Sequence, residues 1–180
     1  MFRAVAQMIQ FTFQPALDPF HSIFRLLRLR RLFPERAPLH RDHVRILDFY
    51  LLFPFRIGSI RFQRQDMHFR SLARRYEQSK PYGEQPEDRI IFNRMEPMQI
   101  AALETLSKRE LIEPDEWKVA AVAPTATLVP EQLAARIEEL NAQEPDLISF
   151  LEVLASRYEL LGSDGLKART GLLEYRYDAV

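Results

Sequence analysis

The side chains best suited to chemistry in this sequence are its four histidines, His21, His40, His43 and His68. His40 and His43 are three residues apart, but no third ligand follows at the spacing of a metal site, and an H-x-x-H pair alone is a weak signal. The absence of cysteine excludes a zinc-thiolate site, a disulfide framework and a cysteine nucleophile. We therefore expect surface or capping histidines and no bound metal.

The acidic residues also lack the partners that catalysis requires. They cluster at 110–116 and 138–139, and no basic or nucleophilic residue accompanies them in a pattern typical of acid–base chemistry. The sequence contains no glycine-rich phosphate loop and no G-x-S-x-G nucleophile motif. We expect neither a catalytic site nor a cofactor.

The cations are distributed unevenly along the chain. Residues 1–80 hold 15 Lys and Arg against 6 Asp and Glu, a net charge of +9, and residues 81–180 hold 10 against 19, a net of −9. Fourteen of the fifteen cations in the first part are arginine, which donates two parallel hydrogen bonds to phosphate or carboxylate. Two interpretations remain open: a solvated surface that pairs with the acidic half, or a basic face toward nucleic acid or an acidic partner.

A predicted helix over residues 66–78 concentrates these cations. Phe69, Leu72, Ala73 and Tyr76 form its apolar stripe at helical spacing, while arginines occupy another face. The candidate residues for contact with non-specific double-stranded DNA are Arg64, Arg70, Arg74 and Arg75.

The region before residue 38 predicts a helix with two apolar faces. Asp18 is suited to be its N-cap and Pro19 its first residue, and the helix should run to about Phe33. A helix of this kind either docks on a partner or packs on its own domain. The candidate partner-binding residues on its first face are Phe20, Ile23, Phe24 and Leu27.

A second apolar seam is predicted near the carboxyl end. A helix should run from Pro145 to Leu161, with Leu147, Leu151, Leu154 and Tyr158 on one side. Leu151, Leu154 and Tyr158 are the candidate partner-binding residues here. The alternating pattern after Gly165 predicts a strand or an extended arm.

The central region reads as a winged-helix-like core. We expect a helix over 41–53, a turn or short strand over 57–62, a strand over 89–92, and a helix from Glu96 to about Lys108. A two-stranded hairpin should follow, with one strand at 117–121 and the other at 128–129. The fold class is therefore mainly α with a small β-hairpin (α+β), a winged-helix-like core with helical extensions at both ends. The expected segments are a partner-docking helix (1–38), the core (39–129), and C-terminal helices with an extended tail (130–180).

Nothing in the sequence predicts a membrane or export signal. The longest apolar run, Phe49–Phe55, is much shorter than the roughly 20 residues of a membrane span. The first 17 residues lack an apolar block followed by a cleavage site. We expect a soluble, cytoplasmic protein.

Four stretches together resemble a known family: DPFHSIFRLLRL (18–29), HVRILDFYLLFPF (43–55), the helix ending in KRELIEPDE (96–116), and GLKARTGLLEYRYD (165–178). They resemble the middle component of ABC three-component systems. These small subunits are encoded between an SMC-like ATPase and an effector in Lamassu-type bacterial defence operons.

The resemblance implies an accessory subunit without catalytic residues. It would dock near the heads of an SMC-like ABC ATPase dimer, hold an effector, commonly a nuclease, and help couple DNA sensing to release of that effector. The alternative is a free-standing winged-helix transcription regulator, which would bind DNA through the helix before the wing. Glu96 and Glu104 in that helix disfavour this alternative, and the lack of ligand clusters disfavours a hidden enzyme.

Overall fold

The computed structural model describes residues 15–34, 37–83 and 85–174. Within these ranges the α-helices are α1 (Pro19–Leu29), α2 (Arg41–Leu52), α3 (Phe69–Glu77), α4 (Asp88–Lys108), α5 (Pro114–Lys118), α6 (Glu131–Gln143), α7 (Pro145–Arg157) and α8 (Leu166–Thr170). Short 3-10 turns occupy Pro15–Leu17, Arg30–Leu32, Pro54–Ser59 and Arg64–Asp66. The two strands are β1 (Leu39–His40) and β2 (Ala121–Val122).

The first two helices begin and end close to the predicted positions. The Asp18 carboxylate accepts the backbone N–H of His21 at 2.8 Å, and Pro19 takes the first helical position of α1. At the start of α2, Nδ1 of His40 accepts the N–H of Asp42 at 3.1 Å. Helix α2 ends just before Pro54, which has no N–H to continue it. Of the turn or short strand predicted over 57–62, the strand is wrong: residues 57–59 end a 3-10 turn and irregular chain follows.

Helix α4 replaces two separate predictions. The predicted strand over 89–92 is wrong, and so is the helix start at Glu96, because one helix runs from Asp88 to Lys108 with Pro97 inside it. Phe92, Met95 and Gln99 are buried on one face of this helix, and Pro97 is exposed. Burial along that face outweighs the break that proline usually introduces.

The sheet is small, and its strands come from distant parts of the chain. Leu39 pairs with Val122 and His40 with Ala121 in antiparallel register, and an isolated bridge joins Ile112 to Pro124. The fold class, mainly α with a small antiparallel sheet, is confirmed. The hairpin between 117–121 and 128–129 is wrong, because residues 114–118 form α5 and β2 takes its partner from before α2.

The carboxyl-terminal helices differ from their predictions at the ends. Helix α7 ends at Arg157, short of the predicted Leu161, and its next residue is already extended. The extended arm predicted after Gly165 is wrong over Leu166–Thr170, which is α8. Gly171, with a φ of 66°, ends that helix in the left-handed conformation. Residues 171–174 are irregular, and the remainder of the predicted arm, 175–180, lies outside the described residues.

One hydrophobic core joins residues from Leu26 to Leu172. Helix α1 packs most extensively on α4 and also on α2, while α7 packs on α2. Aromatic rings meet edge to face at its centre, as between Phe49 and Phe92 and between Tyr50 and Phe150. The N-terminal helix is therefore part of the core.

In the described part of the chain, no helix combines the length and the apolar character that crossing a membrane requires.

Candidate interaction surfaces

The predicted basic helix exists and exposes its arginines. The 3-10 turn Arg64–Asp66 leads into α3, and Phe69, Leu72 and Ala73 bury the inner side of this stretch. Arg64, Arg70, Arg74 and Arg75 are all exposed. Residues four apart on a helix lie on the same face, so Arg70 and Arg74 are neighbours. We call the exposed side of residues 64–78 the α3 arginine face.

The four arginines of this face differ in their ion pairing. Arg75 pairs with Asp146 at the start of α7, and both side chains are exposed. Arg64, Arg70 and Arg74 have no ion-pair partner among residues 15–34, 37–83 and 85–174. These three guanidinium groups therefore face solvent without an acidic partner in the described ranges, and Arg70 and Arg74 do so as neighbours.

The structure adds a fifth cation that sequence reasoning missed. Arg157, at the end of α7, donates from Nη1 to Oδ1 of Asp66 at 3.0 Å. The Asp66 side chain is fully buried, whereas that of Arg157 is 47% exposed. This pair places Arg157 beside the 3-10 turn that begins the α3 arginine face. Asp66 and Arg157 are 91 residues apart in the sequence, so no local pattern indicated this contact.

Many of the other arginines in the first part of the chain pair with acids from the second part. Arg28 bonds to Glu144 at 2.8 Å and Arg45 lies 3.3 Å from Glu96. Pairing of the same kind joins Arg31 to Glu138 and Arg56 to Asp88. Ion pairs within the fold thus balance much of the charge asymmetry of the sequence. For these arginines this matches the interpretation that the basic half pairs with the acidic half. The α3 arginine face remains as a separate feature.

The candidate partner-binding residues of α1 fall into two groups. Phe20 is 79% exposed, and Ile23 and Phe24 are half-buried against the core. Leu27 is buried, so it belongs to the core of this chain and its assignment to a partner is corrected. The outward residue of the predicted docking face is Phe20.

The candidate residues of α7 belong to the core as well. Leu151 and Leu154 are fully buried, and Tyr158 is almost so. The Tyr158 hydroxyl accepts the backbone N–H of Gln63 at 3.0 Å, a contact within the chain. The predicted seam for a partner is corrected for all three residues, because that seam packs on α2 and neighbouring segments of the same chain.

An apolar pocket of about 320 Å³ lies beside the start of α1. Leu17, which is 43% exposed, lines it three residues before Phe20, together with Phe53, Ile91 and Arg94. Its walls come from three regions of the chain, so no sequence pattern indicated it. Leu17 and Phe20 give the start of α1 two exposed apolar side chains.

The histidines take capping and hydrogen-bonding roles within the chain. His40 is the N-cap of α2. The buried His43 has its Nε2 at 2.8 Å from the carbonyl oxygen of Leu154. Because a carbonyl oxygen only accepts, this nitrogen carries the proton and donates. Burial is the main cause that lowers the pKa of both His40 and His43. Both line a groove of about 860 Å³ beside β1. Across the described residues, no group of three or more His, Asp or Glu is placed to hold a metal ion.

A buried polar network joins α1, α2 and α4. Arg25 binds Asp48 through Nε and Nη2, and Asp48 also accepts Nε2 of Gln99 at 2.9 Å. Gln99 in turn accepts Nε of Arg45 at 3.1 Å, and the Arg45 guanidinium stacks 4.6 Å from the centre of the Phe92 ring. Sequence reasoning missed these residues, because helical periodicity does not distinguish a buried arginine from a solvated one.

The described structure is a small helical protein with a basic face on α3 and exposed apolar side chains at the start of α1. A family model described as ABC-three component (ABC-3C) system Middle Component 5 matches residues 11–178, and the chain belongs to that family. Comparison with curated proteins and with solved structures found no match. A middle component of a multi-subunit system works with protein partners.

Proposed function

We propose that this chain is a non-catalytic accessory subunit that bridges an SMC-like ABC ATPase dimer and an effector nuclease in a DNA-sensing bacterial antiphage defence complex. The observation that carries this proposal is the family match over residues 11–178, nearly the whole chain. The accessory role is inferred from membership of the ABC three-component middle-component family. The Lamassu-type ATPase and the nuclease come from the resemblance of the four stretches described above.

The surface at the start of α1 supports a bridging role. Leu17 and Phe20 are both exposed and Leu17 lines an apolar pocket, whereas most large apolar side chains of the described chain lie in its core. Large aromatic and aliphatic side chains are common anchors of protein interfaces. We assign this surface to one of the two protein partners. Contact with the other partner would use a different face of the subunit.

Co-expression with the ATPase and the effector encoded beside it tests the proposal. The three purified proteins should form one complex on size-exclusion chromatography, and leaving out this chain should separate the effector from the ATPase. Association of those two without this chain would contradict a bridging role. A purified homodimer of this chain that binds one DNA sequence would instead favour the transcription regulator.

Catalysis is tested with the same preparations. Nuclease and ATPase activities should belong to the partner subunits, and this chain alone should show neither. A substrate turned over by the isolated chain, and retained after repurification, would reject the non-catalytic assignment.

A further inference from the structure

We infer that the α3 arginine face binds the phosphate backbone of double-stranded DNA without reading its sequence. This inference deepens the proposed function, on which it rests for its biological setting, by naming the part of the subunit that touches nucleic acid. It stands on the geometry of residues 64–78 and on their lack of compensating charge.

The first argument is charge without a counterion inside the chain. Across residues 64–78 the exposed charged side chains are four arginines and one acid, Glu77. The other acid, Asp66, is buried and bound by Arg157. Elsewhere the described arginines are commonly held by carboxylates or carbonyls, so three free guanidinium groups on one short stretch form a local concentration of unbalanced charge.

The second argument concerns the type of partner. Protein interfaces depend on buried aromatic or aliphatic anchors, and the exposed residues of this face include one large apolar side chain, Met67, which is 37% exposed, and no Phe, Tyr, Trp, Leu or Ile. Its exposed polar residues Gln65, Ser71 and Gln78 are hydrogen-bonding groups of the kind that accompany arginine on phosphate oxygens. Phosphate is thus a better match than the surface of an acidic protein.

The third argument separates duplex from single-stranded DNA. Single-strand binding depends on aromatic side chains on which unpaired bases stack, and His68 is the only ring exposed on residues 64–78. His68 already lies with its ring centre 4.1 Å from that of Phe69. Several exposed arginines on one short stretch suit the closely spaced phosphates of a duplex, and such contacts carry no sequence information.

The test compares two variants with equal changes in net charge. In R64Q/R70Q/R74Q the three unpaired arginines of the face are neutralised. In the control R31Q/R89Q/R136Q three exposed arginines outside the face are neutralised, each of which pairs with an exposed glutamate. Fluorescence anisotropy with a labelled 30-base-pair duplex of arbitrary sequence, at several salt concentrations, gives affinity and salt dependence for each full-length protein.

We expect wild type and control to bind this duplex with similar, steeply salt-dependent affinity. Each phosphate contact contributes about 0.9 to the slope of log affinity against log salt, so the face variant should lose about 2 to 3 from that slope. Its affinity at low salt should fall at least about tenfold. A second duplex of unrelated sequence should give the same values, and a single strand should bind more weakly.

The opposite results overturn the inference. They are an unchanged slope in the face variant, an equal loss in the control, or no duplex binding by the wild type at low salt. A face variant that binds DNA normally but fails to enter the complex with ATPase and effector would assign the face to an acidic protein. Because the binding assay uses this chain alone, a failure of complex assembly leaves its result interpretable, and the two proposals fail separately.

Discussion

The guanidinium of Arg25 holds the carboxylate of Asp48 with two hydrogen bonds, 2.6 Å from Nε to Oδ1 and 3.0 Å from Nη2 to Oδ2. Both side chains are buried, and the pair joins α1 to α2. Arg25 also donates from Nη1 to the Pro15 carbonyl oxygen at 2.9 Å, so one side chain connects the segment before α1 to the core. This pair stabilises the fold only while both partners are present.

The substitution Arg25→Met should therefore strongly destabilise the protein. It leaves Asp48 buried and charged, with Gln99 as its remaining side-chain donor among the described residues. Losing one partner of a buried pair lowers the free energy of unfolding by roughly 3–5 kcal/mol. Urea unfolding followed by circular dichroism measures the change.

The matched control is Arg136→Met, which breaks the exposed pair with Glu139 on α6. Exposed pairs contribute at most about 1 kcal/mol, so this variant should unfold close to wild type. Equal losses in the two variants would show that burial does not set the strength of the Arg25–Asp48 pair.

Gly165 is required by close packing just before α8. A Cβ at this position would lie 2.1 Å from the carbonyl oxygen of Leu161 and 2.6 Å from that of Leu160. Gly165→Ala must therefore displace the backbone, and the free energy of unfolding should fall by about 2 kcal/mol. Gly58→Ala is the control, because a Cβ there has no neighbour within 4 Å. A thermal or urea midpoint for Gly165→Ala equal to that of the control would refute the steric argument.

Acid should destabilise the fold through His43 and His40. Burial lowers the pKa of both imidazoles below their ordinary value of 6.5, so the folded protein favours the neutral forms. The unfolded chain binds protons first as the pH falls through about 6.5, and stability declines from there until the folded-state pKa is passed. Above pH 6.5 this contribution to stability is fully present.

Urea midpoints at pH 7.5 and 5.5 measure this dependence in H40N/H43Q. Asn is a good N-cap for α2, and Gln retains a donor for the Leu154 carbonyl. The double variant should lose less stability between the two pH values than the wild type. His68→Gln should leave the wild-type difference intact, and a similar effect from this substitution would remove the case for His40 and His43.

Phe20→Asp should separate partner binding from folding. The Phe20 side chain is 79% exposed, and an aspartate in the first turn of a helix is favourable near its N-terminus. The unfolding midpoint should stay near that of the wild type while co-purification with the partner subunit is lost. Leu151→Asp, which places a charge in the core, should unfold the chain. Undiminished co-purification of Phe20→Asp would assign the docking surface elsewhere.

Local signals predicted the parts of the fold that depend on local chemistry. The cap at Asp18, the proline stop after α2 and the apolar stripe of α3 each involve residues within a few positions of one another. Helix type and start follow from such contacts. The same signals failed at Pro97, because a proline whose ring faces solvent does not end a helix that is packed on α1 along its other side.

Burial and pairing could not be predicted in the same way. The seam of Leu151 and Leu154 has the spacing of a helix interface, but periodicity does not say whether the facing helix belongs to the same chain. Likewise Arg28 and Arg74 are alike in sequence, and only the fold shows that one bonds to Glu144 while the other is unpaired. The exposed arginines of the candidate site were named correctly as exposed, but Arg157 joined them from a distant helix.

Arginines of α1 and of the turn after it make contacts with residues far along the chain. Arg28 bonds to Asn141 and Glu144, and Arg30 donates to the carbonyl oxygens of Thr125 and Thr127. A ribosome releases the first helix early, but those acceptors emerge only after more than 80 further residues. Until then Arg28 and Arg30 lack these partners, although Arg25 can already pair with Asp48. A truncated chain that ends before residue 125 lacks these long-range contacts and should be more exposed to chaperones and proteases than the full-length chain.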